Sequence, residues 1–117
     1  MKKRILICGG RNFSDKDKFT KVMEYLRPWF DPCFCIIQGG AAGADRLGAA
    51  WAFFEGCPMI EMRANWDKYG NSAGSIRNRW MLEYGMPDLV VAFPGGTGTE
   101  NMVKRARTAK IDVFEVT

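Results

Sequence analysis

The sequence predicts an α/β fold: one domain with a five-stranded parallel sheet and helices on both faces. Three observations carry that expectation. Short apolar runs alternate with helix-period segments along the whole chain, three of those runs end in glycine-rich turns, and 117 residues is the size of one domain. No linker, repeat or low-complexity tract divides residues 1–117.

The first strand is RILIC, residues 4–8, closed by Gly9-Gly10. Ser14-x-x-Asp17 then supplies a capping-box-like start for a helix with Phe19, Val22, Met23 and Leu26 on one face. Pro28 is expected to end it. CFCIIQ, residues 33–38, reads as the second strand and runs into GGAAGAD. A helix over 44–55 follows, with Ala44, Leu47 and Trp51 spaced to face the sheet and Gly56 and Pro58 as its stop. MIEM, residues 59–62, is a short third strand, and RANWDKYGNSAG after it is a long polar loop of the kind that often carries function. Residues 75–85 make a third helix, DLVVAF (88–93) a fully apolar fourth strand, 98–109 a fourth helix anchored by Met102, Val103 and Ala106, and IDVFEV (111–116) the fifth strand. Strand and helix alternating in this way describe a Rossmann-like sheet.

Composition narrows the chemistry. Hydrophobic residues make up 47% of the chain and aromatics 13%, enough to fill a core, while no apolar stretch approaches the roughly 20 residues that span a bilayer. No membrane association is expected. The apolar part of MKKRILIC is too short for a signal-peptide core, and Cys8, Cys33, Cys35 and Cys57 lack C-x-x-C spacing. Reduced, buried thiols in the cytoplasm are the expectation, with no metal and no cofactor. The net charge of +4 favours anionic partners, but both signs interleave along the chain, so nucleic-acid binding is the weakest of three readings. With no histidine, Ser-His triads, imidazole acid–base chemistry and histidine metal ligands are excluded. Neither G-x-G-x-x-G nor G-x-x-x-x-G-K-[ST] occurs, which disfavours dinucleotide dehydrogenases and P-loop NTPases.

In a doubly wound sheet the ligand lies beyond the carboxyl ends of the strands, where strand order reverses. Three turns converge there: Gly9-Gly10-Arg11-Asn12, Gly39-Gly40-Ala41-Ala42-Gly43-Ala44-Asp45, and Pro94-Gly95-Gly96-Thr97-Gly98-Thr99. Glycine lets the backbone approach a ligand, and the free N–H groups of the helix that follows bind phosphate. Arg77 and Arg79 sit in the first turns of a helix, where the dipole disfavours cations, so a phosphate clamp explains at least Arg77, with Asn78 beside it. Asp45 either offsets its helix dipole or accepts hydrogen bonds from a ribose diol, and Gln38 is a second ribose candidate. Thr97-x-x-Glu100 fits a capping box, and Glu100 equally fits a ligand contact. Trp66 and Tyr69 either stack on a base or pin their loop to the core. Cys8 reads as core rather than as a nucleophile.

GGRNF, QGGAAGADRLGAAWA, AGSIRNRWML and DLVVAFPGGTGTENMVKRA together resemble the YspA/YpsA-related branch of the SLOG superfamily, over nearly the entire chain. The resemblance implies a Rossmann-like domain of bacteria and their phages, related to the LOG phosphoribohydrolases, that binds nucleotides or nucleotide-derived signals. It also implies that Gly9, Gly10, Arg11, Gly39, Gly40, Gly43, Asp45, Arg77, Asn78 and the Pro94 to Thr99 turn line the pocket. Two departures stand out. Gln38 and Ala42 replace a histidine and an arginine usual in the branch. The register in which LOG enzymes carry a glutamate reads Glu100, Asn101 and then Met102, so LOG activity does not carry over.

The expected ligand is an AMP- or ADP-ribose-like molecule, with phosphate on the Gly95 to Thr99 helix start and Arg77 clamping it. The rival expectation is an enzyme that cleaves a nucleotide N-glycosidic bond through Glu100 or Asp45. Oligomeric state stays open, since Trp29, Phe30 and Trp80 serve either a homodimer contact or the core.

Overall fold

A computed structural model of the chain describes residues 3–117. Its order is β1 (Lys3–Cys8), α1 (Lys16–Phe30), β2 (Cys33–Gln38), α2 (Ala44–Glu55), β3 (Met59–Glu61), α3 (Trp66–Tyr69), a 3₁₀ turn (Gly70–Ser72), α4 (Ala73–Gly85), β4 (Leu89–Ala92), α5 (Thr97–Thr108) and β5 (Asp112–Glu115). The five strands form one parallel sheet in the order β3-β2-β1-β4-β5. The chain builds outward from β1 through β2 to β3, then returns to β1's other side for β4 and β5. The reversal therefore falls between β1 and β4, where Ile5 pairs with Leu89 and Cys8 with Ala92. Two backbone bonds continue that pairing beyond the strands: Phe93 N–H to the Cys8 carbonyl at 2.9 Å and Gly10 N–H to the Pro94 carbonyl at 2.9 Å. They hold the first and third glycine turns side by side.

Alternation along the central strands sends residues to opposite faces. Ile5, Ile7, Ile36, Leu89 and Val91 face α1 and α2, with Phe19, Met23, Leu26 and Phe30 of α1 packed over them. Leu6, Cys8, Ile37, Val90 and Ala92 face α4 and α5, which contribute Met81, Met102, Val103 and Ala106. Helices thus cover both faces. Among the described residues no helix is long and apolar enough to cross a membrane.

Several local expectations are corrected. The α1 N-cap is Asp15, whose carboxylate accepts from Lys18 N–H at 3.0 Å, one residue later than Ser14. The helix passes through Pro28 to Phe30. A proline this late costs one backbone bond, and continuing buries the Phe30 ring edge-on to Trp51 at 5.7 Å, a compensating gain of about 1.5–3 kcal/mol. The inner face of α2 is Ala44, Gly48 and Ala52, while Leu47 and Trp51 pack at its margin. Small residues four apart let the helix sit close to the sheet: a β-carbon on Gly48 would come within 3.2 Å of Ile7. The long polar loop folds into α3 and the 3₁₀ turn, and α4 begins at Ala73 rather than at residue 75. The Thr97/Glu100 capping box does not form. The N-cap of α5 is Gly96, with no side-chain cap, so Thr97 is already helical and Glu100 N–H bonds the Gly96 carbonyl at 3.0 Å.

Of the three aromatics considered for a homodimer contact, Phe30 is core, Trp80 is half-buried edge-on to Tyr69 at 5.9 Å, and Trp29 is 42% exposed with the Lys3 ammonium over its ring.

Candidate functional site

A cavity of about 550 Å³ opens at the carboxyl edge of the sheet, over the β1/β4 switch point. The first turn brings Gly9, Gly10 and Arg11 to it, α2 brings Asp45, α4 brings Arg77 and Asn78, and the start of α5 brings Gly96, Thr97, Gly98 and Thr99. These ten were expected from sequence. Asn12, Gln38, Gly39, Gly40, Gly43, Pro94, Gly95 and Glu100 are not among the lining residues. Cys8, Ala41, Trp66, Asn71, Gly74, Ser75, Met81 and Asn101 complete the wall.

Several glycines outside the lining hold the turns against one another. Gly43, with φ 78°, lies where a β-carbon would collide with the backbone of Gly10 and Arg11. On Gly95 it would stand 2.6 Å from the Gly10 nitrogen. By contrast nothing lies within 4 Å of a β-carbon at Gly96 or Gly98. Close loop packing explains the first pair, and open space in front of a helix start the second.

Gln38 is 1% exposed and its amide is committed within the protein. Its Nε2 donates to Glu61 Oε1 at 2.8 Å and lies 3.3 Å from Met59 Sδ, and its Oε1 accepts from Gly40 N–H at 2.5 Å. A side chain so occupied shapes the second turn, and it lies outside the cavity lining. Glu100 is exposed on the other side of α5, beside Val103, Lys104 and Arg107. Register decides this, because a helix start one residue earlier than a capping box requires turns Glu100 away from the cavity. Arg79 is exposed and lies 3.7 Å from Glu83.

The polar wall is a single network. Asp45, 6% exposed, accepts from Gly39 N–H and Ala41 N–H, both at 3.2 Å and both on Oδ2, so among the described residues Oδ1 has no donor. Burial pushes its carboxyl above the usual value, against the lowering effect of Ala41 N–H, the Arg77 charge and Gly39 N–H. Arg77 donates from Nη1 to the Gly39 carbonyl at 2.9 Å and from Nε to Asn78 Oδ1 at 3.0 Å, leaving Nη2 uncommitted among the described residues. Burial pulls the Arg77 pKa down while the Asp45 and Cys8 charges oppose it. Asn78 donates to the Gly98 carbonyl and to Asn101 Oδ1, both at 3.1 Å, which fastens α4 to the α5 start. The Cys8 thiol is pushed up to about 12, first by burial, then by the Asp45 charge, against the lowering effect of Arg77. It is a wall residue and not a thiolate.

Electrostatically the cavity suits an anion. An uncapped helix leaves its first N–H groups unsatisfied, and Thr97, Gly98 and Thr99 both begin α5 and line the cavity. Arg11 and Arg77 add two cations against one carboxylate, Asp45. Trp66, 53% exposed, lies on the same wall, close to Gly74, where a β-carbon would come within 3.3 Å of its ring. Tyr69 instead packs edge-on to Trp80. An exposed tryptophan is a ready stacking surface for a planar ring. The residues that sequence reading missed, Asn71, Ser75 and Asn101, are ordinary polar side chains on helical segments. The one available signal was the i, i+4 spacing of Thr97 and Asn101, which puts Asn101 on the helix face of the glycine turn.

Comparison with known proteins places the chain in a family. The model of the YAcAr family, described as the YspA, cpYpsA-related SLOG family, matches residues 3–69, from β1 through α3. The Gene 61 protein of Mycobacterium phage D29 is 33% identical over 123 aligned residues, covering 96% of this chain and 94% of that protein. The second match extends through α4 and α5, the elements that supply Arg77 and the Gly96 to Thr99 start.

Proposed function

The chain belongs to the YspA, cpYpsA-related SLOG family, and from that membership together with the cavity we propose that it binds a nucleotide or nucleotide-derived ligand of the AMP or ADP-ribose type, as a sensor or ligand-binding domain. One observation carries the reading: the uncapped start of α5 and the Arg77 guanidinium share a cavity at the strand-order reversal. Phosphate sits on the N–H groups of Thr97 to Thr99 with Arg77 Nη2 beside it. The unoccupied Asp45 Oδ1 accepts from ribose hydroxyls, and the base stacks on Trp66. The reading places the protein in the cytoplasm, where four unpaired cysteines stay reduced.

A second reading has its own support. Asp45 is the one carboxylate among the lining residues, and burial raises its pKa toward the range useful for proton transfer. In an N-glycosidic hydrolase it would stabilise an oxocarbenium-like sugar and take a proton from the attacking water. Water oxygen then bonds to the sugar carbon as the base leaves with its electron pair, and the proton that Asp45 took from the water passes to the departing base. Glu100 has no place in this version, because it faces away.

Calorimetric titration of the purified protein with AMP, NAD and ADP-ribose, with free base assayed in the same samples, separates the two. Binding without turnover, lost in Arg77→Ala and kept in Lys104→Ala, supports the binding domain. Base release at catalytic turnover favours the hydrolase, and no heat with any of the three compounds removes both.

A further inference from the structure

Asn101 lines the cavity one turn beyond the α5 start, and every hydrogen bond around it has an unambiguous direction. A guanidinium only donates and a backbone carbonyl only accepts. Asn78 therefore has a set orientation, with Oδ1 toward Arg77 Nε and Nδ2 toward the Gly98 carbonyl. Asn101 has a set orientation too, because its Oδ1 receives Asn78 Nδ2 and Arg105 Nε, each at 3.1 Å. Both donors fall on the same oxygen, so the Asn101 NH₂ group has no acceptor among the described residues. Arg105 is itself held across the helix pair, since Nη2 donates to Ser75 Oγ of α4 at 2.8 Å. A cation in the last turn of α5 complements the helix dipole, but the dipole does not explain two directed bonds from one guanidinium to two cavity-wall residues.

We propose that Asn101 is a specificity-determining residue that presents its NH₂ group to the ligand's phosphate, and that Arg105 is the positioning residue that keeps it turned that way. The inference rests on the nucleotide reading above and sharpens it. The wall around Asn101, formed by Thr97 to Thr99 N–H and Arg77, offers donors, which matches the all-acceptor surface of a phosphate dianion better than a ribose diol or a base edge. Asn101→Asp is the informative change. It retains an acceptor for both Asn78 and Arg105, so the network stands, while an anionic oxygen replaces the donor that the proposal assigns to the ligand.

The test titrates AMP and adenosine into wild type, Asn101→Asp, Asn101→Ala, Arg105→Ala and the double alanine variant, with thermal melts of each. The wild type should bind AMP more tightly than adenosine. Asn101→Asp should lose about tenfold or more in AMP affinity, with adenosine affinity within about twofold and an undiminished melting temperature. Arg105→Ala should weaken AMP binding on its own yet add nothing in the Asn101→Ala background, which a merely structural arginine would not do. Asn101→Asp binding AMP like wild type, or a folded Asn101→Asp losing AMP and adenosine in equal measure, overturns the proposal. Wild type binding AMP no more tightly than adenosine overturns it while leaving a nucleoside site standing. Wild type binding neither compound overturns it together with the nucleotide reading.

Discussion

Replacing Gly43 by alanine should destabilise the protein far more than replacing Gly98, although both belong to glycine-rich turns at the same edge of the sheet. Gly43 precedes α2 with φ 78° and ψ −128°, a region that essentially only glycine occupies. An added methyl would collide with the Gly10 carbonyl oxygen and lie 2.6 Å from the Arg11 carbonyl carbon and 2.7 Å from its oxygen. These are backbone atoms, so no rotamer change relieves the clash. The adjacent bond from Ala44 N–H to the Gly10 carbonyl, 3.3 Å long, would strain with it. Backbone strain of about 1–3 kcal/mol and overpacking of about 1–3 kcal/mol sum to roughly 2–6 kcal/mol. That is a large share of a typical stability of about 5–15 kcal/mol. At roughly 4 °C per kcal/mol for a domain of this size, the melting temperature should fall by roughly 8–24 °C. Gly98 is the internal control, because nothing lies within 4 Å of its β-carbon, and alanine there should hold stability or raise it by up to about 1 kcal/mol. Thermal and urea unfolding followed by far-ultraviolet circular dichroism measure both variants. A loss under about 4 °C for Gly43→Ala, or equal losses in the two variants, would refute the argument that Gly43 exists for loop-to-loop packing.

Because burial raises the Asp45 carboxyl, the folded chain holds a proton that the unfolded chain has released above the ordinary value of 3.8. Asp45's contribution to stability therefore falls as pH rises through that interval, and urea midpoints should show Asp45→Asn gaining on wild type from about pH 4 upward; a gap independent of pH would contradict this. With its thiol raised to about 12, Cys8 should resist iodoacetamide in the native protein at mildly alkaline pH and react after unfolding, as read by peptide mass mapping. Trp66→Ala should weaken AMP binding by roughly 5- to 150-fold, the loss of about 1–3 kcal/mol of stacking, while leaving ribose 5-phosphate affinity unchanged. Glu100→Gln should change neither ligand affinity nor base release, since the side chain lies outside the cavity; a tenfold effect in either assay would restore Glu100 to the site.

Strands were legible because buried parallel strands must be apolar on both faces, and CFCIIQ and DLVVAF are such runs. The inner face of α2 was not, because large apolar residues usually mark a buried face, whereas here Ala44, Gly48 and Ala52 lie innermost to bring the helix near Ile7. Arg77 was legible from a local conflict, a cation in the first turns of a helix, and the structure gives it a wall position next to the Gly39 carbonyl. Gln38 misled because a polar residue at a strand end looks available. Its partners Glu61 and Gly40 show otherwise, and Glu61 lies on a neighbouring strand that no local pattern pairs with it.

Sequence alone was sufficient for the α/β class and for the number of strands and their succession along the chain. Those features follow from periodicity and turn chemistry, which act within a few residues of one another. Which glycines face open space and which only pack, whether Thr97 caps or begins α5, where Glu100 points, and how Arg105 reaches Asn101 were decided by tertiary structure. Each of these turns on a helix register or on a hydrogen bond between separate elements, and such contacts depend on how the elements pack rather than on any local run of residues.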